Sequence, residues 1–433
     1  MALAATKDSY PAPSRLPHVT SQMLTAGFWI ARHPSVDTMV MSFEQINTFN
    51  AHIRDELKLT KDIFLLEEHF QTESLMDVLK NDLSNFTDKG YYNIAGIRND
   101  SSLIDKAKVN MHLSGVVLGV APKYGLVIHY ADQRFLPTSE GLFEQKGDVD
   151  FDQIQNSALD IGTPVAAVHR SLDGKWYYVL SALSDGWVKA ENIALGDMKQ
   201  VQSFAQAKGF VVVTGPKVDI FLDPLMKTFV DFARMGVQFP LLEENDYQWV
   251  IQIPIKDKQG QLQLVKGYIL KSQAHRGYLP YTARTIYHQA FTMLDKPYGW
   301  GDVNGWQDCS RFLQMVYATV GIELPRDTKN QAQVGQPLAV FDEKTANPEK
   351  LESLKNVLGA SSVLAMKGHI VLYLGMADDI PFAVHATSGY YHTEGDIEVK
   401  YVINRVVVSD LSLGENSVKG SLIRRLLKIV GIQ

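Results

Sequence analysis

PYGWGDVNGWQDCSRFLQMVYATVGIELP, residues 297–325, holds Cys309, the only cysteine in 433 residues. After Cys309 the apolar residues Phe312, Leu313, Val316, Tyr317 and Val320 recur at helical spacing and form one stripe. Gly321 stands where a helix ends in a left-handed residue. Before Cys309, glycine, tryptophan and aspartate carry no helical period. The pattern places Cys309 at a helix N-terminus with Asp308 as its N-cap. Backbone N–H groups there favour negative charge, so the thiol pKa is expected to be pulled down. The same N–H groups could hold an oxyanion during acyl transfer. A cysteine without these flanks would read as a small buried apolar residue.

A nucleophilic thiol needs a base from elsewhere in the chain. Residues 368–388 read GHIVLYLGMADDIPFAVHATS. Two β-rich runs, 370–374 and 382–386, flank a turn with Asp378, Asp379 and Pro381, a hairpin pattern. With a loop at 376–380, Val371 lies opposite His385 and His369 is diagonal to it, roughly 7–8 Å away at Cα. A shift of two residues would set the histidines directly opposite. In either register both rings share a face. A cysteine on a helix, a histidine to activate it and a second group to orient that histidine form the nucleophile–base–orienter set of cysteine peptidases. His392, in GYYHTEGD, reads as a surface or substrate-side residue. Nothing in these motifs requires a metal or a cofactor, and His69 beside Glu67 and Glu68 lacks the HExxH spacing of a zinc site.

On these residues the stretch from about 280 to 400 resembles the NlpC/P60 family of bacterial cell-wall peptidases. The matching pieces are PYGWG at 297–301, Asp308-Cys309-Ser310, Leu324-Pro325-Arg326 with Gln331, Gly368-His369-Ile370 and Val384-His385-Ala386. Arg311 departs from the glycine usual after Asp-Cys-Ser. The resemblance implies a papain-like core that hydrolyses peptidoglycan stem peptides, commonly at the γ-D-glutamyl–L-diamino acid bond. It implies Cys309 as nucleophile, His369 as general base and His385 as the orienting residue. Tyr298 would assist the oxyanion or the substrate, and Asp308 and Ser310 would hold a free amino terminus. In related enzymes an SH3-like domain walls the cleft and selects stems with a free N-terminal L-alanine.

Composition limits the alternatives. A net charge of −6 offers no basic face for nucleic acid. One cysteine excludes an intramolecular disulfide, and no apolar run is long enough for a transmembrane helix. The opening MALAATKDSYPAPS is too short and polar for an intact signal peptide. A cell-envelope or periplasmic enzyme would carry its export signal outside this chain, with a lipid anchor left open.

The chain reads as α+β and multidomain, with four parts. Residues 1–114 are mainly helical and brace the assembly, with a capping box at Ser42–Gln45 and a second helix at 73–83. Asp37 and Asn50 with Arg54 also match family positions there. Residues 115–197 carry short β-rich runs (GVVLGV, YGLVIHY, TPVAAVHR, KWYYVLSAL, DGWVKAENIAL), the pattern of a small barrel. Residues 198–278 repeat it more loosely, with Trp176 aligned to Trp249 and Gly186-Trp187-Val188 to Gly267-Tyr268-Ile269. Two divergent copies resemble tandem bacterial SH3-like barrels. Trp187 and Tyr178 could stack on substrate or fill the barrel core, and Asp148, Asp150 and Asp152 could face a substrate amine or solvent. Residues 279–433 are the papain-like NlpC/P60 domain, with a helix at 284–294, one capped by Asp327, a polar connector at 341–360 and a docked terminal helix in SLIRRLLKIVGIQ. The function expected is a cysteine endopeptidase whose partner is a peptidoglycan stem peptide or muropeptide. The alternatives are an acyltransferase or amidase on the same core, or a non-catalytic SH3-like wall-binding scaffold.

Overall fold

Asp308 does begin a helix, Cys309–Ala318, its carboxylate accepting the Arg311 N–H at 2.9 Å. Phe312, Leu313, Val316 and Tyr317 are fully buried, and Gly321 turns the chain at φ +89°. The structure, a computed structural model, describes residues 9–66, 72–87, 89–98, 101–116 and 121–433. The segment at His69 and part of the GVVLGV run lie outside the described residues.

The cysteine helix packs on a seven-stranded sheet in the order Ser9–Pro11, Ile397–Asp410, Ile380–Glu394, His369–Ala377, Ser362–Met366, Leu426–Gly431, Gln336–Val340. All neighbours are antiparallel except Ser9–Pro11, which runs parallel to its partner. The C-terminal tail is not the expected helix. One turn, Leu422–Arg425, leads into the strand Leu426–Gly431, where Val430 pairs with Val363 and Ile429 with Leu364. A short apolar run fits a buried helix and a buried strand alike; β-branched Ile429 and Val430 suit the strand, and paired neighbours on both sides satisfy its backbone.

The chain forms two units: residues up to Leu59 with Tyr278–Tyr298 and Trp306–Gln433, and Thr60–Gly277 with Gly299–Gly305. In the first, the Ser42 capping box forms as read, and Asn50 clamps the loop after the cysteine helix by bonding Gly321 O and Glu323 N. Asp37 pairs with Arg284. Trp29 is buried against Phe382, with ring centroids 5.6 Å apart.

The second unit holds two seven-stranded sheets. One runs Gln155–Leu159, Ala131–Arg134, Asp185–Lys189, Trp176–Leu180, Pro164–Arg170, Lys123–Val127, Ile193–Leu195. The other runs Phe229–Arg234, Lys217–Phe221, Leu262–Leu270, Gln248–Lys256, Gln238–Glu244, Phe210–Val213, Ala274–Arg276. The order is the same in both. The expected closed barrels do not form, because the two edge strands of each sheet do not pair. In each copy a 3₁₀ turn, Ala190–Asn192 or Lys271–Gln273, directs a three-residue last strand onto the first strand instead. Gly186 and Gly267 sit at matching places in the ladders, while Trp249 is one residue out of step with Trp176. Leu79, Leu103 and Ile104 from the helices Thr72–Ser84 and Ser102–Asn110 pack on the first sheet around Trp187 and Tyr178; Val201 and Phe204 of Met198–Ala205 pack on the second. Trp187 and Tyr178 are core residues, their rings edge to face at 5.5 Å.

This unit also grips the segment 299–305, which lies in the chain between Tyr298 and Asp308. Asp302, fully buried, faces Arg234 at 3.5 Å, and Arg234 pairs through two nitrogens with Asp160 at 2.8 and 2.9 Å. Tyr130 donates to Asp302 O, Gln155 to Gly301 O, and Trp300 to Asp152 O. Gly301, at φ +55°, passes so close to Gln155 that a Cβ would meet it at 2.8 Å. Removing the cation from such a cluster strands its carboxylates in a dry interior. Arg234→Met should therefore lower the denaturant-measured stability of this unit by about 3–5 kcal/mol; a loss under about 1 kcal/mol would contradict the pairing as a structural anchor.

Candidate active site

Cys309 opens its helix with its side chain buried, and Thr328, first residue of the turn Thr328–Gln331, lies with its Oγ1 3.8 Å from Sγ. The helix N-terminus does not produce the low thiol pKa expected from the sequence. Burial pushes the thiol up to about 11, and the adjacent Asp308 carboxylate adds to the rise; hydrogen bonds from Thr328 and from the Ile370 backbone act the other way and are outweighed. Asp308 caps the helix by accepting the Arg311 N–H. Burial would raise that carboxyl, but Arg326 overrides it and holds it below its ordinary value. Arg326 reaches both Asp308 oxygens, at 2.7 and 3.2 Å, and Ser310 Oγ at 2.9 Å. Ser310 donates to Asp308 at 3.0 Å, and Gln331 bonds Ser310 O and Pro325 O. Asp308 and Ser310 are thus tied to each other and to Arg326. Tyr298 is half-buried, its N–H bonded to Asn404 O, and it bridges to Gln307 just ahead of the cap.

The strand beginning at His369 packs beside the cysteine helix. It joins Ile380–Glu394 through Asp378 and Asp379, both at positive φ, a tighter turn than the loop read from the sequence. An irregularity after Tyr373 restores the register, so Leu372 pairs with Val384 and the next step sets Val371 opposite His385. The histidines are diagonal neighbours, with His369 Nε2 2.9 Å from His385 Nδ1. His385 Nε2 is 3.0 Å from Ser409 Oγ, both side chains fully buried. Burial, then the Arg425 guanidinium, hold His369 well below the ordinary imidazole range; His385 is lowered by burial, His369 and Arg425. At neutral pH the thiol and both rings are uncharged. If His369 Nδ1 is to receive a proton, its Nε2–H donates to His385 Nδ1, and His385 Nε2–H donates to Ser409. That single polarity leaves a base lone pair at the outer end of the line.

Residues 295–386 match the NlpC/P60 family, and residues 141–189 match the SH3 domain of SH3b1 type. A probable endopeptidase of Corynebacterium glutamicum is 30% identical over 206 residues, a match covering 46% of this chain and 87% of that one. The chain belongs to the NlpC/P60 family. Another relative, a gamma-D-glutamyl-L-lysine dipeptidyl-peptidase of Bacillus cereus, is 25% identical over 194 residues, 44% of this chain; the chain spans 54% of that relative's length. An NlpC/P60 endopeptidase structure from Photobacterium damselae subsp. piscicida shares the fold, with TM-score 0.79 at 19% identity, over 98% of this chain and 99% of that one. Ser409 was missed from the sequence. Its signal is one polar residue closing the apolar run Val406–Val408, but only the pairing of Ser409 with Ala383 brings it diagonal to His385. Asp152 proves to be a loop brace, pairing with Arg134 and accepting from Leu142 N and Ile154 N.

Because Cys309 is the only thiol, its ionisation can be read by alkylation. Iodoacetamide consumes thiolate, so the rate should keep climbing beyond pH 9. A plateau reached below pH 7 would contradict the buried neutral thiol.

Proposed function

We propose that this protein is a cysteine endopeptidase that cleaves the γ-D-glutamyl–L-diamino acid bond of peptidoglycan stem peptides and favours stems with a free N-terminal L-alanine. The observation that carries this reading is the line His369–His385–Ser409 beside the N-terminus of the Cys309 helix. In this reading His369 takes the thiol proton as Sγ attacks the γ-carbonyl carbon, and the Cys309 N–H, which has no acceptor within its helix, stabilises the oxyanion. His369 then gives the proton to the leaving amine, and a thioester remains. Water, deprotonated by His369, cleaves the thioester and returns the thiol. Proton transfer accompanies attack, since neither group is charged beforehand. His385 and Ser409 orient the base.

Tyr298 assists the oxyanion or substrate. Asp308 and Ser310 fix the thiol through Arg326, and a substrate ammonium would share the Asp308 carboxylate with that guanidinium. The name of the Bacillus cereus relative supports the γ-glutamyl bond. The common strand order of the two smaller sheets supports a tandem SH3-like pair, with parts at 1–114, 115–197, 198–278 and 279–433. A wall-directed hydrolase acts in the cell envelope or outside it.

Mass spectrometry of products should find L-Ala-γ-D-Glu-diaminopimelate cut at the γ-glutamyl bond, and the same peptide on muramic acid cut at least tenfold more slowly (about 1.4 kcal/mol). Cys309→Ala should be folded and inactive. Equal cleavage of both substrates would remove the free-amine preference, and turnover by Cys309→Ala would remove the mechanism.

A further inference from the structure

Arg425 is a half-buried guanidinium with no side-chain hydrogen bond or ion pair among the described residues. Burial lowers its own pKa, and no neighbouring carboxylate offsets that effect. Its place is set by the sheet. Met366 pairs with His369 on one side and with Leu426 on the other, so Arg425 stands at the sheet end where His369 begins, two strands across. Two strand spacings are about 9–10 Å, a gap that a long side chain can largely cross. Its charge bears on both imidazoles, whereas the thiol answers to Asp308 and Arg326. Arg425 therefore stands beside the histidines, at the end of the sheet where His369 begins.

A partly desolvated cation without a partner is costly, and here it also weakens the base on which turnover depends. Among the described residues no carboxylate pairs with it. The arrangement makes sense when the missing partner is an anion that arrives with the substrate. His369 must deliver its proton to the leaving amine, so the departing fragment lies over the imidazole side. A fragment that begins at the diamino acid ends in a carboxylate.

We propose that Arg425 is a specificity residue on the leaving side of the cleft, pairing with a carboxylate of the departing diamino acid fragment. The inference rests on the endopeptidase reading above. Once paired, the guanidinium no longer opposes protonation of His369 and His385, so the correct leaving fragment strengthens the base that takes the thiol proton. Arg425 acts on both binding and turnover.

The test compares L-Ala-γ-D-Glu-L-Lys with its C-terminal carboxamide, using the full chain as wild type, Arg425→Gln and Arg425→Lys. Wild type should prefer the carboxylate by about tenfold or more in kcat/KM, the range of a charge-assisted hydrogen bond. Arg425→Gln should lose that preference and cleave the carboxamide at least as fast as wild type, because the unpaired charge no longer opposes the base, and Arg425→Lys should restore part of the preference. The wild-type comparison needs no variant to fold: equal cleavage of the two peptides overturns the proposal. An equal loss on both peptides in Arg425→Gln also overturns it, marking a structural role. If wild type cleaves neither peptide, the endopeptidase reading fails and takes this inference with it, an outcome distinct from equal cleavage.

Discussion

The active site is governed by desolvation of a thiol and two imidazoles. None can hold a charge at rest where they lie, and each displaced from water needs a partner. The partners form a line: His369 to His385 to Ser409, anchored in a strand two places removed from that of His369. A neutral line has a direction that its last member must fix. Ser409 supplies an acceptor without adding a charge, where a carboxylate at the same place would pull the imidazoles toward protonation. At rest the proton stays on sulfur, the neutral state that burial favours.

The same constraint accounts for the surroundings of Cys309. A helix N-terminus normally favours a thiolate, yet here the residue before it is a carboxylate that caps the helix and competes for the same field. Arg326 binds that carboxylate and Ser310, so the charge is neutralised within the wall of the site. The sheet beneath is equally committed. The strand Leu426–Gly431 lies inside it, between Ser362–Met366 and Gln336–Val340, so it belongs to the sheet that holds His369 and His385 and brings Arg425 to the end where His369 begins.

The parts of the site that depend on local pattern were legible in the sequence. The stripe from Phe312 to Val320, the Asp308 cap and the Gly321 stop follow from helical period and capping chemistry. The diagonal placement of His369 and His385 followed from alternation, although the chain reaches it by a tighter turn and a compensating irregularity. What was not legible depends on partners distant in sequence. Ser409 gains meaning only from strand pairing, and Arg326 only from its bond to a cap eighteen residues earlier. The direction of the thiol pKa was misread because helix position is local while burial is not. Closure of the small sheets was misread because it turns on where a three-residue strand finds its partner, which spacing does not encode. The tail was misread because a short apolar run has no period of its own.

The central claim is that Cys309 carries the acyl group between two half-reactions. Intact-protein mass spectrometry after rapid acid quenching of a γ-glutamyl peptide reaction tests it directly. The account predicts a transient mass increase equal to the L-Ala-γ-D-Glu acyl fragment, located by digestion on the peptide containing Cys309 and absent in Cys309→Ala. Turnover with no adduct at any quench time, or an adduct on another residue, would contradict it.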